Sequence, residues 1–186
     1  METGKPKPAT YADIEALPEH LVGEIFDGEL YVSPRPGGPH SFCALSLGGS
    51  IQQPFGRRRG GVGGWWILTE PELHVEDDVS VPDMAGWRRE RMPQVPRDAA
   101  FTVIPDWVCE VASPSNLRLD RAIKMPRYAR WGVRHLWIVD PLARTLEVYR
   151  LMEGRWLQLG VWHDDQVVEA EPFEAVPLDL SELWVD

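Results

Sequence analysis

The stretch PDWVCEVASPSNLRLDRAIKMPRYARWGVRHLWIVD, Pro105 to Asp140, decides how the chain folds. Its first part, Pro105 to Ala112, is apolar apart from Asp106 and Glu110, as expected of a central strand covered on both faces. The period then changes, and Ser115 or Asn116 is placed to cap a helix running to about Trp131. His135 to Val139 reads as the next strand. A turn at Asp140-Pro141-Leu142-Ala143-Arg144 leads into a strand from Thr145 to Tyr149, and Arg155 to Trp162 adds an edge strand.

Working toward the N-terminus, Trp65 to Leu68, Glu72 to Val75 and Val79 to Trp87 read as strands, followed by a polar loop from Arg88 to Ala100. Pro39 to Gln53 carries Phe42, Leu45, Leu47 and Ile51 at mixed helical spacing; Gly48 and Gly49 weaken this helix by roughly 1 kcal/mol each relative to Ala. Before it, Val22 to Phe26 and Glu29 to Val32 flank Asp27-Gly28, the dipeptide that most readily supplies the positive φ angles of a two-residue hairpin turn. Thr10 and Asp13 start a short helix that Pro18 stops after about Leu17, and Met1 to Ala9 reads as a loose arm. An Arg57-Arg58-Arg59 cluster and a glycine-rich turn separate the second helix from the strands. With no internal repeat or low-complexity segment, residues 1–186 are expected to form a single domain.

Composition narrows the function classes. A hydrophobic content of 44% with 10% aromatics is enough to bury a core. No stretch approaches the roughly 18 to 20 apolar residues of a bilayer span, and the first twenty residues hold no signal-peptide-like apolar run, so no membrane partner and a cytoplasmic location are expected. Cys43 and Cys109 stand far apart, outside metal-binding spacing, and read as buried small apolar residues. The net charge of −10 argues against nucleic-acid binding as a whole-chain property. Its distribution does not: Trp87 to Arg134 holds ten basic residues against five acids, whereas His163 to Asp186 holds eight acids and no Lys or Arg. A phosphate-facing surface in the middle of the chain is therefore open. The nine tryptophans could stack on bases, but their scatter favours core or dimer packing.

Three side chains carry the chemistry. Glu110, inside an apolar strand, needs a cation or hydrogen bonds to keep its charge, and an arginine salt bridge is the bland alternative. Asp83 follows Pro82 in SVPDMAGW and is either a turn former or, from a neighbouring strand, the second carboxylate of a site for a hard cation such as Mg²⁺. Asp120, Lys124 and Tyr128 are spaced four apart on one helical face, and a lysine there can serve a metal-bound phosphate or simply be solvated. Pro126 lies inside the same helix and is expected to kink it near Lys124.

The runs VPDMAGWRRE and PDWVCEVASPSNLRLDRAIKMPRYARWGVRHLWIVDPLARTLEVYR, with EIFDGELYVSP and Pro39-His40 upstream, resemble the Uma-type restriction endonucleases, a bacterial branch of the PD-(D/E)XK nuclease superfamily. The resemblance covers about Tyr11 to Leu151 and implies an α/β, mixed α+β fold: a restriction-endonuclease-like mixed sheet flanked by helices, with an N-terminal hairpin. It implies Asp83 and Glu110 as metal ligands, completed by the backbone carbonyl of Val111, with Mg²⁺ as cofactor and Mn²⁺ able to substitute. The superfamily's lysine two residues after the glutamate is Ala112 here, and the resemblance points instead to Lys124 on the following helix. Glu24 matches an acid of the family's hairpin and His40 its helix-start histidine; Ser113 and Ser115 cap the helix and could donate to phosphate, and Asp120 accompanies Lys124. The activity implied is hydrolysis of DNA phosphodiester bonds, with Arg88 to Arg91 and Arg118 to Arg130 gripping the backbone and a homodimer by analogy. The alternative is a catalytically inactive binding or scaffold protein on the same fold.

Overall fold

The computed structural model describes residues 7–57 and 61–185; most of the expected arm, together with Arg58 and Arg59, lies outside them. Helix α1 is Tyr11–Glu15, opened by Thr10, whose backbone N–H and hydroxyl both donate to Asp13 Oδ2. Strands β1, Leu21–Phe26, and β2, Glu29–Pro34, pair through a two-residue turn in which Asp27 and Gly28 take φ of 52° and 76°, as the Asp-Gly dipeptide requires.

Helix α2 is Gly38–Ile51, extended by a wider π turn at Gln52–Gly56. Its inward face is His40, Cys43, Leu47 and Ile51, whereas Phe42 and Leu45, expected among the apolar residues that define the helix, point outward with exposures of 44% and 77%. The helix survives Gly48 and Gly49 because its buried face packs against a sheet, which outweighs local propensity. β3 is Trp65–Thr69, β4 Glu72–Val75, β5 Asp78–Ser80 and β6 Met84–Arg88. The single strand expected from Val79 to Trp87 is thus two. Pro82 has no N–H for a ladder, and at Val81-Pro82-Asp83 the chain leaves one sheet and enters another.

The remaining strands are β7, Ala100–Phe101, at the end of the stretch expected to be loop, β8, Trp107–Val111, β9, His135–Asp140, β10, Thr145–Met152, and β11, Arg155–His163. Two further pieces, β12 at Val167–Val168 and β13 at Leu178–Asp179, pair in the acidic C-terminal segment. The larger sheet runs β11-β10-β9-β8-β6-β3, antiparallel except for the parallel pair β8–β9; the smaller runs β2-β1-β5-β4-β7. Between β8 and β9 the expected single helix is three windings in succession: an α turn α3 at Leu117–Leu119, a π turn at Asp120–Lys124, and α4 at Met125–Trp131. The wide turn sits just ahead of Pro126, whose missing N–H leaves no bond to lose there. Gly132 ends α4 with φ 82°.

The central strands of the large sheet are buried on both faces and alternate between two cores. Trp107, Cys109 and Val111, with Trp137 and Val139, face α2 and the C-terminal segment. Val108, Leu136 and Ile138 face α4 with Tyr128. The first core is organised around Phe173, whose ring lies 4.8 to 5.6 Å from those of Phe55, Trp65, Trp107 and Trp137. Trp65, Trp87, Trp107 and Trp137 are fully buried, so these four are core rather than base-stacking surface. By the same alternation, Glu110 is turned toward α4.

Candidate active site

Glu110 meets Lys124. The lysine Nζ lies 3.0 Å from both Glu110 oxygens, 3.2 Å from Glu24 Oε1 and 3.7 Å from Asp120 Oδ1, and donates to the Val81 carbonyl at 3.2 Å. The π turn lets Asp120 and Lys124 face inward together, and α4 brings in Tyr128, whose hydroxyl donates to Glu110 Oε1 at 2.6 Å and lies 3.0 Å from Ser80 Oγ. Glu24, expected either as a site acid or as a solvent-facing hairpin residue, is buried, and its Oε1 accepts from Ser80 Oγ and the Val81 amide. No arginine pairs with Glu110 among the described residues; its partners are Lys124 and Tyr128.

Asp83 occupies the bend between the sheets. Its Oδ2 accepts from the Val111 amide at 2.7 Å, and its Oδ1 stands 3.1 Å from His40 Nε2 on α2. Glu24, His40, Asp83, Glu110, Asn116 and Lys124 line one small cleft of about 30 Å³, enough to admit water. Two buried atoms around it have no partner among the described residues, His40 Nδ1 and Asn116 Oδ1. Ser113 does not join this cleft: with Leu117, Asp140 and Leu142 it borders a separate groove. Nor does its side chain cap the helix, since its hydroxyl is paired with Ser115 and its backbone carbonyl accepts from the Asn116 and Leu117 amides.

Electrostatics follow from one cation set among Glu24, Asp83, Glu110 and Asp120. Burial first, then the neighbouring carboxylates, push Glu110 well above the usual carboxylate range despite Lys124. Burial, Asp83 and Glu24 likewise push Asp120 up to about 6 against the pull of Lys124. Burial alone would discharge Lys124, but Glu110, Glu24 and Asp120 overcome it and hold the ammonium charged. His40 is resolved the same way: burial lowers it, and the hydrogen bond and charge of Asp83 more than restore it. Burial raises the Cys43 thiol to about 12 and pushes that of Cys109 well above its ordinary value, which disfavours the reactive thiolate at both.

The cleft therefore has a surplus of carboxylate oxygen, the donor type of hard cations. Among the described residues no three His, Cys, Asp or Glu side chains already converge as a metal shell. An ion such as Mg²⁺ commonly takes one or two carboxylates and fills the rest of its shell from water and substrate oxygens.

The arginines expected to grip a substrate are largely engaged inside the protein. Arg88 and Arg89 stack 4.1 and 3.6 Å from the Trp65 and Trp66 ring centres, and Arg91 pairs with Asp106 at 2.8 Å. Five extended residues also put Arg88 roughly 17 Å from Asp83 along the strand. Arg121 binds Glu147, and Arg127 clamps Asp27 and Asp78. Asn116 at the cleft, and Tyr128 and Ser80 buried behind Glu110 and Glu24, were not expected in these places; only Tyr128 left a signal in the sequence, its spacing of four from Lys124.

Fold and cleft together define the class: a restriction-endonuclease-like mixed α/β domain with carboxylates and a lysine gathered where two sheets meet. The chain belongs to the Uma2 family, described as "Putative restriction endonuclease", whose profile matches residues 9–181. Among solved structures it is similar to "a putative nuclease belonging to DUF820" from Anabaena variabilis, with 23% identity, coverage of 95% of this chain and 97% of that one, and a TM-score of 0.75, a likeness of fold. No curated protein matches it.

Proposed function

We propose that the protein is a Mg²⁺-dependent nuclease hydrolysing DNA phosphodiester bonds. The observation that carries this reading is the grouping of Asp83, Glu110 and Lys124 on one cleft with a surplus of negative charge. Asp83 and Glu110 would hold the ion, with the Val111 carbonyl as a further donor and Mn²⁺ as an acceptable substitute. The bound ion supplies charge neutralisation at the phosphate and a lowered pKa for water. Lys124, held charged by its acidic neighbours, stabilises the negative charge that develops on the phosphate oxygens. His40 fixes one oxygen of Asp83 and the Val111 amide fixes the other, so the carboxylate is oriented before substrate arrives.

Titration calorimetry with Mg²⁺ and Mn²⁺ on the wild type, Asp83→Ala and Glu110→Ala, alongside cleavage of plasmid and single-stranded DNA, tests the reading. Ion binding and cleavage present in the wild type and lost in both variants are expected. A wild type that binds neither ion and cuts neither DNA would leave the inactive scaffold as the better account. On the proposed reading, cleavage of both strands calls for two copies of the chain, and sedimentation equilibrium should show a dimer.

A further inference from the structure

Arg35 sits at the mouth of the cleft. Its chain neighbours Pro34 and Pro36 line that mouth, and its guanidinium lies 3.6 Å from Glu70, a third lining residue. The backbone on both sides is pinned. Pro36 restricts Arg35 to extended conformations, and the Arg35 amide donates to the His20 carbonyl at 3.2 Å. Opposite it, Glu70 adopts φ of 46°, a left-handed conformation unusual for a residue with a side chain, and its amide donates to the carbonyl of Asp83 at 3.0 Å. A strained residue tied to the backbone of Asp83 thus carries the partner of an arginine at the cleft entrance.

The pair itself is weak by construction: the side chains are 55% and 49% exposed, and their separation is long for an ion pair. A phosphate offers a guanidinium two parallel charge-assisted hydrogen bonds, a better match than one loosely held carboxylate. The cleft also needs an outer cation. Lys124 is enclosed by acids, and Arg121 and Arg127 are committed to Glu147, Asp27 and Asp78, which leaves Arg35 and the exposed Arg118 to meet an anionic substrate. Asn116, whose buried Oδ1 has no partner among the described residues, lines the same cleft, and a polar guest there would satisfy it.

We infer that Arg35 and Glu70 form a latch over the cleft, and that Arg35 exchanges Glu70 for a backbone phosphate of the nucleic-acid substrate. The inference rests on the nuclease reading and adds the residue that captures the substrate. Arg35 is a binding residue in it, and Glu70 acts by competing for that arginine.

The test compares wild type, Arg35→Ala, Glu70→Gln and the double variant. Anisotropy of short labelled duplex and single-stranded DNA in Ca²⁺ gives affinity and its salt dependence, and Mg²⁺-supported cleavage gives KM and kcat. Arg35→Ala should weaken affinity about tenfold, as expected for loss of a charge-assisted contact, and lower the salt slope by about one. KM should rise with kcat unchanged. Glu70→Gln should bind more tightly than wild type, and the double variant should behave as Arg35→Ala does. Arg35→Ala with wild-type affinity and KM in a protein that cleaves DNA would overturn the latch and leave the nuclease reading intact, as would tighter binding from Glu70→Gln that persists without Arg35. A wild type that neither binds nor cuts would overturn both. Unchanged circular dichroism in the variants separates these outcomes from loss of folding.

Discussion

Lys124 Nζ stands 3.0 Å from the Glu110 carboxylate, with both side chains nearly sealed from solvent at 4% and 3% exposure. A buried pair of this kind gives little net stability as a pair, because desolvation offsets the attraction, but it is costly to break on one side. Lys124→Ala should therefore lose about 3 to 5 kcal/mol, since Glu110 and Glu24 stay buried without their cation. Lys124→Met combined with Glu110→Gln should recover much of that loss. Urea unfolding measures both, and a single variant as stable as wild type would refute the assignment of Lys124 as the counter-ion.

Asp120 makes the same cluster pH-sensitive. Its carboxyl titrates near 3.8 ordinarily and is pushed up to about 6 in the folded protein, so between these values the folded state keeps a proton that the unfolded state has lost. Stability must then fall as pH rises through that window, by about 3 kcal/mol at most for this group. Asp120→Asn removes the contribution. The wild-type stability minus that of the variant, followed by urea unfolding from pH 4 to 7, should decline up to about pH 6 and then level; a flat difference is the opposing result.

His40 is expected to act through Asp83. Replacing it by Ala should cost roughly 10- to 100-fold in metal affinity or activity, the usual range for partners that orient metal ligands. His40→Gln, which keeps a donor toward Asp83, should restore part of the loss. Equal defects in the two variants would mean that His40 serves only packing.

Gly86 is a packing point rather than a flexible one. A Cβ there would sit 3.1 Å from both Ile67 Cδ1 and Trp107 Cε3 and 3.3 Å from Trp65 Cε3. Gly86→Ala should cost about 1 to 3 kcal/mol by overfilling the core. Calorimetry showing no drop in melting temperature would contradict this packing.

Phe173, at the centre of four aromatic rings, has the opposite risk. Phe173→Ala should lose about 3 to 5 kcal/mol through the cavity it leaves, with the first core loosening before the second, which hydrogen exchange at Trp137 and Val133 amides would register.

Much of the fold was legible because it depends on short-range rules. The Asp-Gly hairpin, the capped first helix and the apolar strand around Glu110 each follow from backbone geometry or local patterning, and each is found where expected. The buried strands, the helix after them and the presence of Asp83, Glu110 and Lys124 as an acid, acid and base in that order were likewise readable from the chain. Tertiary structure alone decided the rest. That Val79 to Trp87 serves two sheets, that Phe42 and Leu45 face outward while His40 faces inward, and that Phe173 centres a core from within an acidic tail are outcomes of packing between segments distant in sequence. Pairing of charges belongs to the same category. Nothing in the order of residues distinguishes Arg127, spent on Asp27 and Asp78, from Arg35 at the cleft mouth, because Coulomb interactions depend on separation in space and on the solvent excluded around them.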